Sequence, residues 1–83
     1  MEMEDRERLL SVFRKCLNLE QGVDPVTIKY GETKGWKSLA HMSLVAAIED
    51  EFNIMLDTAD VLDMSSFDKA VQLVDKYQRS SAA

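Results

Sequence analysis

Two residues in this sequence have the types and spacing of a reactive pair. Ser38 and His41 are three apart and share one turn if the segment is helical, as a nucleophile and its base would. The supports of such a pair are missing. There is no G-x-S-x-G elbow and no carboxylate in the same turn to orient the imidazole, so the sequence favours a surface or half-buried histidine over a hydrolase. His41 is the only histidine, and with carboxylates for company and no EF-hand spacing it builds no metal site. The single cysteine, Cys16, lies on an apolar stripe and reads as a buried thiol packed like a small hydrophobe.

Ser38 keeps a second chemistry of its own. It stands where the polar, glycine-bearing segment Gly35-Trp36-Lys37 gives way to the amphipathic pattern beginning Ser38-Leu39-Ala40-His41. Unpaired backbone N–H groups and the positive end of the helix dipole converge at such a junction, so a phosphate carried on that hydroxyl would be well placed. Serine is also a favoured N-cap, and position alone does not separate a capping serine from a modified one.

The charge around Ser38 is one-sided. Residues 1–37 balance seven acids with seven bases, residues 38–68 hold seven acids and no base, and residues 69–83 hold one acid and three bases. The middle block would repel nucleic acid and attract a basic protein surface, so the expected partner is a protein and not a nucleic acid. At 83 residues and 46% hydrophobic content the chain suits one domain spanning 1–83, too short to enclose a cofactor pocket and a substrate pocket easily, which disfavours a stand-alone enzyme. The start, Met1-Glu2-Met3-Glu4-Asp5-Arg6, lacks the order of a signal peptide, no apolar run reaches membrane-span length, and one cysteine requires no oxidising compartment. A soluble, cytoplasmic chain is expected.

The elements that must position Ser38 follow from apolar spacing. Leu9, Leu10, Phe13, Cys16 and Leu17 predict a first helix over about 4–19. Residues 20–37 hold the only proline and all three glycines and predict a long connection, pinned by Val23, Val26, Ile28 and Tyr30, with Trp36 packing over the bundle end. A second helix over 38–52 has a core face of Leu44, Val45, Ile48 and Phe52. Its other stripe, Leu39, Met42 and Ala46 continued by Glu49 and Asp50, is either ordinary partial burial or an apolar patch with an acidic rim suited to docking. Asp57 or Thr58 can cap a short third helix over 58–63 containing Val61 and Leu62. Ser65-Ser66-Phe67-Asp68 then offers a cap with an acid three residues on, before Phe67, Ala70, Val71, Val74 and Tyr77 predict a last helix over 66–78 with a frayed tail at 79–83.

Taken together, this pattern resembles the acyl carrier protein family: an acidic chain of this length with a first helix, a long loop, a serine opening the second helix, a short third helix and a closing fourth. Ser38-Leu39, Leu44-Val45 and Ile48-Glu49-Asp50-Glu51-Phe52 are similar to that family's second helix without a gap. Ile54, Leu56, Asp60-Val61, Met64, Ser65-Ser66-Phe67, Ala70-Val71 and Val74 also fall where it places apolar and capping residues. The resemblance covers nearly the whole chain and is weakest over residues 20–35.

The resemblance implies an all-α four-helix bundle and a carrier, not a catalyst. Ser38 would bear 4'-phosphopantetheine, moved from coenzyme A by a phosphopantetheinyl transferase, and the thiol of that arm would hold an acyl group as a thioester. Leu39, Met42, Ala46, Glu49 and Asp50 inherit the role of recognition surface for acyl-processing enzymes with basic docking faces. The chain would act as a monomer, with no metal and no membrane contact. One departure adjoins the serine: the family's Asp-Ser-Leu reads Lys37-Ser38-Leu39 here, and Ser43 stands where a carrier often has a further acid. An unmodified protein-interaction module with the same fold is the alternative.

Overall fold

The computed structural model describes residues 2–32 and 36–81. Gly35, in the junction before Ser38, lies outside the described residues, as do 33–34 of the long connection and 82–83 of the tail. The described chain is mostly helical: α1 (Met3–Cys16), α2 (Ser38–Phe52), α3 (Thr58–Asp63) and α4 (Phe67–Ser81), with a short 3₁₀ turn at Pro25–Thr27. This is the expected all-α small bundle.

α1 buries Leu9, Val12 and Phe13, and places Glu4 and Asp5 at its start and Arg14 and Lys15 at its end, both arrangements favourable to the helix dipole. It stops at Cys16, short of the predicted 19. Asn18 turns left-handed (φ 50°) and the Leu19 N–H closes back onto the Arg14 carbonyl at 3.2 Å, which satisfies a helix-end carbonyl while keeping Leu17 and Leu19 packed. α2 ends the same way. Asn53 is left-handed (φ 53°), and the Ile54 N–H donates to the Glu49 carbonyl at 3.1 Å.

The connection between α1 and α2 is tied down at several points. Asp24 caps the 3₁₀ turn by accepting from the Val26 N–H at 3.0 Å, and Pro25 and Ile28 are buried below it. Lys29 forms an isolated antiparallel bridge with Ser66, and the Tyr30 N–H donates to the Ser65 carbonyl at 2.9 Å. Val23 and Val26 are half-buried against the core, as their apolar character predicted. Trp36 is fully buried, edge-on to Phe13 with centroids 5.5 Å apart. Phe13 meets Phe67 of α4 in the same manner at 5.2 Å, so one ring joins α1, the loop and α4.

α3 has no buried residue, and Val61 is only half-buried. Polar ties hold it instead. Asp57 caps it by accepting from the Asp60 N–H at 3.0 Å, and Asp60 in turn accepts from the Tyr77 hydroxyl at 2.5 Å and from Lys76 at 3.0 Å, both on α4. α4 is capped by Ser66, whose Oγ accepts from the Lys69 N–H at 3.2 Å, so the acid at 68 falls one place short of a reciprocal box. α4 buries Phe67, Ala70, Leu73 and Val74, while Val71 and Tyr77 are half-buried, a face turned slightly from the predicted one. The helix runs to Ser81, past the predicted end at 78. No breaker follows Tyr77, and an Arg79–Asp75 pair at 2.6 Å supports the added turn.

Candidate functional site

Ser38 is the first residue of α2, and the N-cap is Lys37, whose carbonyl accepts from the His41 N–H at 2.8 Å and whose side chain makes no capping bond. The serine is therefore not the cap that position allowed. Its hydroxyl is exposed, and its side-chain neighbour among the described residues is the Tyr30 hydroxyl at 3.3 Å. The first-turn N–H groups of α2 lie beside it without a capping side chain.

His41 lies inside the fold. It is buried, against the sequence expectation of a surface or half-buried ring, and both of its nitrogens are engaged within the fold. The Trp36 indole N–H donates to Nδ1 at 3.0 Å, so the ring proton resides on Nε2 and is donated to the Val61 carbonyl at 2.8 Å. Ser38 and His41 form no hydrogen bond with each other among those described, and the imidazole serves to join the loop, α2 and α3. Burial alone had no local signal; Trp36 and Val61, its two partners, are brought together only by the fold. Cys16 is half-buried with Sγ 3.9 Å from the Ser43 carbonyl, and burial pushes its thiol up, away from reactivity.

The second stripe of α2 is solvent-facing at its apolar positions. Leu39 is 84% exposed and Met42 57% exposed, and Ala46 and Asp50 are exposed further along the helix. Leu62, 78% exposed on α3, follows directly on the Val61 that His41 holds.

The acidic block is less free than its composition suggests. Five of its seven acids are engaged within the fold: Glu49 with the Leu56 N–H, Glu51 with Arg8, Asp57 as a cap, Asp60 with Tyr77 and Lys76, and Asp63 with Lys69. Glu49, expected on the docking rim, thus has one carboxylate oxygen committed to the α2–α3 connection at 2.8 Å. Asp50 has no ion-pair or hydrogen-bond partner among the described residues and remains the open acid of the stripe.

Tyr77 holds the Asp60 carboxyl below the usual carboxylate range, with Lys76 adding to the effect, and the same bond raises the Tyr77 phenol. No helix among the described residues is long and apolar enough to cross a membrane. No protein-family model, curated protein or solved structure matches the chain. The Ser38 site therefore has to be interpreted from its own geometry.

Proposed function

We propose that this chain is an acyl carrier protein, with Ser38 as the attachment point of a phosphopantetheine arm. The observation that carries the reading is the Ser38 hydroxyl itself: exposed, in the first turn of α2, and released from the capping role a serine usually takes there. These residues fit the group. The Oγ of this exposed serine offers a point of esterification, and the first-turn N–H groups and dipole of α2 favour the negative charge of a phosphodiester beside it. The arm, when bound, supplies a terminal thiol that carries an acyl group as a thioester. Exposed Leu39, Met42 and Ala46 with open Asp50 give a partner enzyme an apolar contact and one acid to meet with a basic residue, while Glu49 contributes less than its position implies. Tethering would raise the effective concentration of the intermediate at each partner.

Half-buried Cys16 suits a reducing compartment, and we place the carrier in the cytoplasm, acting as a monomer without metal. Lys37 at the N-cap favours a second reading, an unmodified interaction module that uses the same face of α2. Intact mass after incubation with coenzyme A and a phosphopantetheinyl transferase separates the two. A gain of the arm's mass on wild type that is lost in Ser38→Ala supports the carrier; no gain with any transferase, including those of the source organism, leaves the interaction module.

A further inference from the structure

Among the described residues the Ser38 hydroxyl meets one other side chain, and that side chain is unusually well fixed for a loop residue. Tyr30 donates its backbone N–H to the Ser65 carbonyl at 2.9 Å, and Gly31 next to it donates to the Trp36 carbonyl at 3.0 Å. The Tyr30 ring lies 4.9 Å from the His41 ring and 6.1 Å from that of Trp36, centroid to centroid, and His41 is itself held by two hydrogen bonds. The backbone and the ring of Tyr30 are thus both constrained, and its hydroxyl reaches Ser38 Oγ at 3.3 Å from a residue 38% exposed.

We propose that Tyr30 is a positioning residue for Ser38, whose phenol holds the serine hydroxyl in one rotamer so that it is presented outward to a transferase. The proposal rests on the carrier reading above. A phenol is a stronger donor than an aliphatic hydroxyl, so the preferred arrangement has Tyr30 donating to Ser38 Oγ. That leaves the serine O–H free for an external base and one lone pair free for attack. In the transfer, the bond from Oγ to the phosphorus nearer the pantetheine forms as the pyrophosphate P–O bond of coenzyme A breaks. The serine proton passes to the transferase's base and adenosine bisphosphate leaves. The esterified Oγ has no hydrogen and can only accept, so a donor phenol suits the site before and after the transfer, whereas an acceptor would suit only the first. At 3.3 Å the contact is longer than a well-formed hydroxyl–hydroxyl bond.

The test compares wild type, Tyr30→Phe and Ser38→Ala. Phenylalanine keeps the ring against His41 and Trp36 and removes only the hydroxyl, so the fold should be kept and the melting temperature lowered by no more than the loss of one hydrogen bond. Steady-state loading from coenzyme A should show kcat reduced about fivefold in Tyr30→Phe, the worth of one hydrogen bond, with KM for the carrier unchanged. A second readout needs no transferase. The Hα–Hβ couplings of Ser38 by NMR should report one rotamer in the unmodified wild type and averaging in Tyr30→Phe. Equal kcat in the two proteins, or averaged couplings already in wild type, would overturn the role of Tyr30 while leaving attachment at Ser38 standing. A wild type that gains no mass, whatever its couplings, removes the attachment reading and the role of Tyr30 in transfer with it.

Discussion

The buried Trp36 indole donates its N–H to His41 Nδ1 over 3.0 Å, and through that bond the end of the long loop is locked to α2 and, by way of Nε2, to α3. Neither partner has water to fall back on, since Trp36 is fully buried and His41 is 8% exposed. An unpaired polar group in such a place costs more than the bond contributes when made.

His41→Leu should therefore destabilise the fold by about 1–3 kcal/mol for each group left without a partner, here the Trp36 N–H and the Val61 carbonyl. Urea unfolding followed by far-UV circular dichroism, which does not depend on the tryptophan, measures it. Trp36→Phe should cost less in the His41→Leu background than alone, because the donor it removes is already orphaned. Equal costs in both backgrounds would mean that the pair is not coupled.

The capping pattern makes a contrasting prediction. Asp57 and Ser66 each accept a backbone N–H through the side chain, at 3.0 and 3.2 Å, whereas Ser38 caps nothing. Asp57→Ala and Ser66→Ala should each cost about 1 kcal/mol, and Ser38→Ala only a few tenths. A loss at Ser38 as large as at Asp57 would return the serine to a capping role and weaken its case as an attachment point.

What could be read from the sequence was local. Apolar spacing and cap residues located all four helices, and put Ser38 at the loop-to-helix junction, because these signals lie within a turn of the residues they organise. The start of α2 at Ser38 was legible, but whether the serine capped it was not, because the backbone at Lys37 (φ −125°, ψ −173°), not side-chain preference, makes Lys37 the N-cap. Contacts across the chain carried no such signal. Tyr30 reaches Ser38 because Lys29 and Tyr30 pair with Ser66 and Ser65, and Glu51 is neutralised by Arg8, 43 residues away. An acidic block in sequence therefore overstated the acidic surface, since its counter-charges come from α1 and α4.

Asp60 gives α3 a pH dependence whose sign is fixed by its partners. The Tyr77 hydroxyl and then Lys76 hold its carboxyl below the usual value, so the folded state binds that proton less tightly than the unfolded chain. The stability this supplies is complete above the unfolded value of about 3.9 and is lost as pH falls through the lower folded one. At the other end the Tyr77 phenol, raised by its bond to Asp60, contributes stability that is complete below about 10 and lost as pH rises through its higher folded value. Melting temperatures of wild type and Asp60→Asn should differ near neutral pH and converge as the solution is acidified below about 3.9. A difference that persists in strong acid would show that Asp60 acts through packing instead of charge.

Lys37 is the residue at which stability and function should part. It occupies the N-cap of α2 without a side-chain capping bond, and its charge adjoins the positive end of the helix dipole, where an acid would be favoured. Lys37→Asp should accordingly stabilise the protein by about 0.5–2 kcal/mol, read as a higher urea midpoint, from a new cap and a favourable charge together. Loading of Ser38 need not follow the same direction. A transferase that reads an acid before the serine should load Lys37→Asp faster than wild type, whereas one matched to this chain should load it more slowly although the substrate is more stable. Because a stabilised α2 cannot by itself slow the second enzyme and speed the first, opposite responses from two transferases would assign Lys37 to recognition. Parallel responses would assign it to the helix start alone.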